Sequence, residues 1–250
     1  MSTWLEAGLW GLLGGGALVV GALVAWFVEV PSSVIASVMA FGSGVLISAV
    51  AFDLMAEAAD SGGLLSAAVG FLAGAAAYLA GNAALARRGA RHRKRSGDQQ
   101  PSEGEQSGSG AAIAVGALLD GIPESVVLGV GLLTGGGVSL SVLAAVVISN
   151  VPEGLSSAAG MKKNGRSATY VFGVWTTIAV LSAVAALVGY TTLGSAPPEV
   201  IAVITAVAAG AILTMVADTM IPEAFEETHV WTGLITTVGF LLAFAIDRAG

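Results

Sequence analysis

The chain contains no cysteine and only two histidines among its 250 residues. Without cysteine it can form neither a disulfide nor a thiolate metal site. The two histidines, His92 and His229, both lie outside the apolar segments. A metal-dependent hydrolase usually holds its metal through histidine and activates water with a general base. We therefore do not expect an enzyme, and we predict no cofactor.

Charge is scarce as well. Only 11% of the residues are charged and 55% are hydrophobic, and the mean hydropathy is +0.85. A soluble domain carries about 25% charged residues. The composition predicts a polytopic protein whose surroundings are the lipid bilayer. The net charge of −7 gives no reason to expect a nucleic-acid partner.

Eight apolar segments follow one another, each close to the ~20 residues that a helix needs to cross the hydrocarbon core. They cover about residues 4–28, 34–55, 64–85, 111–133, 139–159, 169–190, 200–221 and 230–246. We predict an all-α membrane protein in which residues 1–250 form a single transmembrane domain. The 35 glycines fit helices that approach one another closely.

Nine of the ten Lys and Arg residues lie in two loops. The first loop, residues 87–110, begins with a basic run and continues with Ser, Gly, Gln and Glu, a composition that predicts a disordered cytoplasmic loop. The second holds Lys162, Lys163 and Arg166. With eight spans both loops lie on one side, which the positive-inside rule makes cytoplasmic. We expect a protein of the cell (inner) membrane with both termini outside.

One short pattern occurs twice inside apolar sequence. Residues 120–124 read Asp-Gly-Ile-Pro-Glu and residues 149–153 read Ser-Asn-Val-Pro-Glu. Each proline removes a backbone hydrogen bond and leaves a carbonyl free. Carboxylates beside a broken helix inside a membrane usually mark an ion path. The alternative is a pair of proline kinks in which protonated acids are packed passively.

The two copies supply a set of oxygen donors. They are Asp120, Glu124, Asn150 and Glu153, with Ser149 as a weaker ligand. No Lys, Arg or His lies inside any predicted span, so we expect these carboxylates to be unpaired and to take up protons or a cation. Oxygen donors favour magnesium, calcium or manganese over zinc. For Asn150 the alternative is a helix–helix hydrogen bond.

The second and seventh segments each carry one further acid, and their sequences resemble each other. Asp53 and Asp218 are candidates for the mouths of a transport path, or else interfacial acids near helix ends. Residues 44–58 align without gaps with residues 210–224, and by the predicted topology the two segments run in opposite directions. An inverted repeat is the usual plan of secondary transporters. Solvated loop charges are expected at Glu57, Glu223, Glu226 and Glu227.

At these residues the chain resembles the ZIP family of metal transporters (zinc/iron permeases). The fourth span of that family typically reads His-Asn-x-Pro-Glu-Gly, and residues 120–125 here read Asp-Gly-Ile-Pro-Glu-Ser. The fifth carries a His or Gln and an acid before a Pro, and residues 149–154 read Ser-Asn-Val-Pro-Glu-Gly. Residues 44–58 and 221–224 are similar to its second and seventh spans. The resemblance implies eight helices in a 3+2+3 arrangement with an inverted repeat.

The resemblance also implies site residues and a function. Glu124 and Glu153 would be bridging metal ligands between spans four and five. Asp120 stands where the family has a histidine, Ser149 where it has His or Gln, and Asn150 where it has an acid. The implied function is movement of a divalent cation such as zinc, iron or manganese, with the metal as substrate, and a homodimer is compatible with such a fold. Because both imidazoles are missing, the alternative is a transporter of another cation or of protons.

Overall fold

The structure, a computed structural model, describes residues 3–96, 100–102, 104–133 and 139–249. Every regular element in these residues is helical. The α-helices are α1 Thr3–Phe27, α2 Ser32–Ser48, α3 Met55–Gly62, α4 Leu64–Leu85, α5 Ser109–Val130, α6 Leu140–Lys163, α7 Ala168–Leu193, α8 Pro198–Met215, α9 Ile221–Thr228 and α10 Thr232–Ala249. The prediction of an all-α protein is confirmed.

Seven helical stretches of the described chain are long and apolar enough to cross a membrane. The protein is therefore an integral membrane protein. The last stretch, Pro198–Arg248, has 51 residues, more than twice the ~20 that one crossing requires. It is interrupted at His229, which has a backbone φ of 45° and begins a 3₁₀ turn that ends at Trp231. The regular α-helical conformation is therefore broken between α9 and α10.

The repeat found in the sequence has a counterpart in the local structure. α2 is followed by a π-helical turn, Ala49–Leu54, and then by α3, just as α8 is followed by a π-helical turn, Val216–Met220, and then by α9. The helices also pair in a matching way, because α2 packs against α10 and α8 packs against α4. The aligned glycines Gly44 and Gly210 both lie directly against the backbone of the partner helix. The two aligned stretches thus belong to helix pairs of the same design.

Helix α6 is held closely against α1 by glycine. A Cβ atom on Gly154 would collide with the backbone carbonyl of Leu18, and a Cβ on Gly21 would collide with that of Val151. Only glycine permits backbones to approach this closely. The crossing fixes the part of α6 that contains Pro152, and it therefore fixes the direction of the acidic residue that follows.

The loop predicted to be disordered, residues 87–110, is described in part, and residues 97–99 and 103 lie outside the described residues. The described chain continues from α4 into a π-helical turn, Ala86–Ala90, and reverses at Gly89, whose φ is 99°. A Cβ on Gly89 would lie 3.0 Å from Ser109, so both the conformation and the space require glycine. Beyond the reversal, Arg93 and Lys94 are buried in the bundle. Carboxylates of opposite charge receive these side chains, and composition alone does not reveal this pairing.

Candidate functional site

The predicted donors on α5 and α6 are all buried. Asp120, Glu124, Ser149, Asn150 and Glu153 each expose 3% of their surface or less. Each helix carries its acidic motif around an internal proline. The charges of Glu153 and Asp120 act on the Glu124 carboxyl. The structure therefore brings the three carboxylates into one region between α5 and α6.

A basic side chain from the α4–α5 segment occupies one end of this region. Arg93 donates from Nε to Oδ2 of Asp120 at 2.8 Å and from Nη2 to Oδ1 at 2.7 Å. Its Nη1 donates to Oδ1 of Asn82 at 2.8 Å. The Tyr78 hydroxyl donates to Oδ1 of Asp120 at 2.5 Å and accepts from Arg93 at 2.9 Å. The guanidinium and the carboxylate thus form a two-point ion pair, the strongest and most directional kind.

The surroundings of Arg93 are shaped for its side chain. Its stem lies against Gly116, where an added Cβ would come within 2.6 Å of Arg93 Cδ. Burial by itself would lower the pKa of Arg93, but the Asp120 carboxylate outweighs this effect and raises the pKa above its ordinary value. Arg93 is therefore a permanently charged partner of Asp120.

Lys94 joins the carboxylates of the two helices. Its Nζ lies 2.7 Å from Oε2 of Glu153 and 3.4 Å from Oδ2 of Asp120. Its backbone carbonyl accepts a hydrogen bond from the Ser156 hydroxyl of α6. The expectation that these carboxylates are unpaired is wrong for Asp120 and Glu153, because their counter-ions come from a neighbouring loop and not from the spans.

The next residues of the segment are bound to α9 and α6. Glu223 pairs with Nε of Arg95 at 3.0 Å, accepts a hydrogen bond of 3.2 Å from the Ser96 amide, and lies 3.2 Å from the Ser156 hydroxyl oxygen. Arg95 also pairs with Glu226. Glu223 was expected to be a solvated loop charge, but it is 5% exposed. The loop supplies its counter-ion here too.

The backbone of the segment rests on small residues of α6. The buried side-chain nitrogen of Gln100, with two hydrogens to donate, lies within hydrogen-bond distance of three carbonyls, those of Arg93 at 3.1 Å, Arg95 at 3.0 Å and Ser157 at 3.0 Å. A Cβ on Gly160 would collide with the Arg95 carbonyl and with the Gln100 amide. The fit depends on the Ser-Ser-Ala-Ala-Gly run of α6 at 156–160, which leaves room for a chain to lie against it.

Glu124 differs from the other two acids. Its Oε1 atom is buried and makes no hydrogen bond among the residues that the structure describes. The Asn150 side chain interacts with the Glu124 carboxyl and also donates from Nδ2 to the Gly14 carbonyl of α1 at 3.0 Å. The helix–helix hydrogen bond considered for Asn150 is therefore present beside its contact with Glu124. A buried oxygen without a partner is costly, and a cation would relieve that cost.

The remaining predicted residues lie apart from this region. Ser149 donates its hydroxyl to the Val146 carbonyl at 3.0 Å, within its own helix. Asp53 is half-buried and accepts from Ser139 at 3.1 Å, just before the first residue of α6. That position is roughly 20 Å along the helix from Glu153, at 1.5 Å per residue. Asp218 is exposed on its π-helical turn. These residues do not join the carboxylates between α5 and α6.

The region is not a ready-made metal centre. Within the described ranges, no three acidic or histidine side chains come together closely enough to hold a metal ion. Glu124, Glu153 and Asn150 are near one another, but Lys94 occupies part of the space between the helices. The arrangement holds cations supplied by the protein itself.

The sequence analysis missed Arg93, Lys94 and Tyr78. A signal was nevertheless present. The predicted spans contain buried acids and no basic residue, so their counter-ions must come from outside the spans. The basic run just after α4 and the group Lys162, Lys163 and Arg166 are the two sources that the sequence offers, and it does not distinguish between them.

No protein-family model matches the chain, and no curated protein matches it either. Function is therefore inferred from the site and its surroundings.

Proposed function

We propose that the protein is a membrane transporter that moves a divalent metal cation through the carboxylate region between α5 and α6. The observation that carries this proposal is the pair Glu124 and Glu153, both buried in apolar helices next to an internal proline. Carboxylates in a membrane interior are costly and are usually retained for ion binding. Glu153 already holds a cation, the Lys94 ammonium, and Glu124 has an oxygen with no hydrogen-bond partner among the described residues.

The charge of the region supports this function. Asp120, Glu124 and Glu153 carry three formal negative charges, and Arg93 and Lys94 carry two positive ones. If all five groups are ionised, one negative charge remains uncompensated in apolar surroundings. Such a region attracts a cation and repels an anion.

The architecture supports a carrier of the ZIP type. We propose that the stretch Pro198–Arg248 turns back at His229 and so provides an eighth span, with both termini outside the cell (inner) membrane. The 3+2+3 arrangement would then place α5 and α6 as the central pair, between two inverted copies of one repeat. Each copy contains a π-helical turn, an element that is frequent at functional sites, and these turns carry Asp53 and Asp218.

The donors indicate which cations to test first. Glu124, Glu153 and Asn150 offer only oxygen atoms, and Asp120 is engaged by Arg93. Oxygen ligands suit manganese, magnesium and calcium, whereas zinc prefers nitrogen and sulfur. Manganese suits the oxygen ligands of this region, so it is the best single probe.

The test is uptake of manganese, zinc, cadmium, iron(II), cobalt, magnesium and calcium into liposomes that contain the purified protein. We expect uptake of at least one metal by the wild type and its loss in Glu124→Gln and in Glu153→Gln. Glu29→Gln is the matched control, because Glu29 is exposed beyond the end of α1. Uptake that persists in Glu124→Gln would overturn the assignment of the site.

One observation favours proton transport as a second candidate. The Tyr78 hydroxyl, the Asp120 carboxylate, the Lys94 ammonium and the Glu153 carboxylate form a continuous series of hydrogen bonds and ion pairs. Each of these groups can carry a proton. Proton flux in the same liposomes that is insensitive to every metal would favour this function over metal transport.

A further inference from the structure

We infer that Lys94 is a tethered competitor for the transported cation. Its ammonium occupies the place at Glu153 that a divalent metal would take, whereas Arg93 remains bound to Asp120 as a fixed counter-ion. The inference rests on the proposed function. It identifies the residue that controls access of the cation to the carboxylates.

The contacts of the two basic side chains differ in kind. Arg93 is held by Asp120, Asn82 and Tyr78, and all three of its guanidinium nitrogens donate hydrogen bonds. Its stem fits against Gly116. A planar guanidinium held at this many points cannot leave without breaking all of its contacts together.

Lys94 is bound more weakly. Its ammonium makes one short contact, 2.7 Å to Glu153, and one longer contact, 3.4 Å to Asp120. An ammonium on a four-carbon stem is a compact charge with freely rotating bonds. Lys94 can therefore withdraw while Arg93 and the backbone of the segment stay in place.

Withdrawal of Lys94 leaves a charge that matches a divalent cation. The Arg93–Asp120 pair is neutral by itself. The two remaining carboxylates, Glu124 and Glu153, carry two formal negative charges, and Glu124 has an oxygen that no described residue satisfies. Replacement of the Lys94 ammonium by one divalent ion would bring the region from one net negative charge to zero. A monovalent ion would leave the charge unchanged.

The first test measures manganese binding to the wild type and to Lys94→Met. Manganese binds only to molecules in which Lys94 has left Glu153. If these are a fraction f of all molecules, removal of Lys94 raises the apparent affinity for manganese by a factor of 1/f. A minor state is commonly populated at about 0.1–10%, so we expect Lys94→Met to bind manganese at least about tenfold more tightly. Lys163→Met is the control and should bind like the wild type, because Lys163 is exposed at the end of α6.

The second test uses the wild-type chain, since Lys94→Met leaves Glu153 without its counter-ion and could fold poorly. The protein has only three lysines, Lys94, Lys162 and Lys163. Acetylation of each is followed by mass spectrometry with and without saturating manganese. We expect the rate at Lys94 to rise at least about tenfold when manganese displaces it, in proportion to its larger accessible fraction, while Lys162 and Lys163 change little.

The outcomes separate the two proposals. In one outcome manganese binds while the acetylation rate of Lys94 and the affinity of Lys94→Met stay unchanged. That result would overturn the role of Lys94 as a competitor but would not contradict the proposed transport function. Binding to Lys94→Met but not to the wild type supports both proposals. If no metal of the panel binds to either protein, the proposed transport function is refuted, and so is the inference that Lys94 competes with the metal.

Discussion

Arg93 and Asp120, 27 positions apart in the chain, pair through two hydrogen bonds of 2.7 and 2.8 Å inside a bundle of apolar helices. The pair joins the segment after α4 to the middle of α5. It explains why Arg93 is buried: the acid that it meets could not be buried alone at acceptable cost. The loop and the carboxylates are therefore one structural unit.

Removal of Arg93 should be strongly destabilising. Arg93→Met leaves Asp120 buried with Tyr78 and with only the longer, 3.4 Å contact to Lys94, so we expect the free energy of unfolding to fall by about 3–5 kcal/mol. Arg91→Met is the control, because Arg91 is exposed in the same segment. Denaturant unfolding in detergent measures both. The double change Arg93→Met with Asp120→Asn should recover most of the loss, and equal stability of the two single variants would contradict the ion pair as described.

The helices and the repeat were accessible from the sequence because they depend on local properties. Long apolar runs have few alternatives to a membrane helix. The aligned stretches around Gly44 and Gly210 share their pattern because each must fit a partner helix closely, and both glycines lie against backbone in the structure. That Glu124 and Glu153 lie together between spans four and five was implied only by the resemblance to the ZIP family.

The basic residues that pair with the buried acids could not be predicted from the sequence in this way. Charged residues in a hydrophilic run are normally solvated, and nothing local distinguishes Lys94, which is buried, from Arg88, which is exposed. The difference comes from contacts across the fold with Asp120, Glu153 and Glu223. Pairing between distant residues requires the arrangement of the helices, which hydropathy does not supply.

The folded state of residues 93–96 can be tested with trypsin, which cleaves after Lys and Arg. Cleavage after Arg93, Lys94 and Arg95 should be slow in the wild type, because the amide of Gln100 ties this backbone to α6. Gln100→Ala removes the hydrogen bonds made by the two amide hydrogens, each worth about 1 kcal/mol, and should speed cleavage there severalfold. Cleavage after the exposed Arg88, mapped by mass spectrometry in the same digest, is the internal reference. Equal rates at Arg88 and Lys94 in the wild type would mean that the segment is not bound to α6.

Alanine should have opposite effects at two glycines, one at the crossing of α1 and α6 and one with open space around it in α7. Gly154→Ala places a methyl group on the Leu18 carbonyl and should destabilise the protein by about 1–3 kcal/mol. Gly173→Ala, inside α7, meets nothing within 4 Å and should stabilise it by about 0.5–1 kcal/mol through helix propensity. Thermal unfolding in one detergent compares the two. A neutral Gly154→Ala would show that the helices are not in contact at this point.

The two acids that follow the internal prolines should respond oppositely to the same change. Glu153→Gln removes the counter-ion of Lys94 and should lower the free energy of unfolding by about 3–5 kcal/mol in metal-free buffer. Glu124→Gln removes a carboxylate that faces two other acids and has an oxygen with no partner among the described residues. We expect it to raise the free energy of unfolding by about 1–3 kcal/mol while abolishing metal uptake.

The comparison is well controlled, since both variants exchange a carboxylate for an amide of equal size at equivalent places in the two motifs. Denaturant unfolding and liposome uptake are measured on the same preparations. A gain in stability together with a loss of transport at Glu124 is what a residue kept for its function produces, because its energetic cost is repaid only when the cation is bound. A loss of stability at both positions would instead mean that Glu124 has a structural partner, and its assignment as the open ligand of the site would have to be withdrawn.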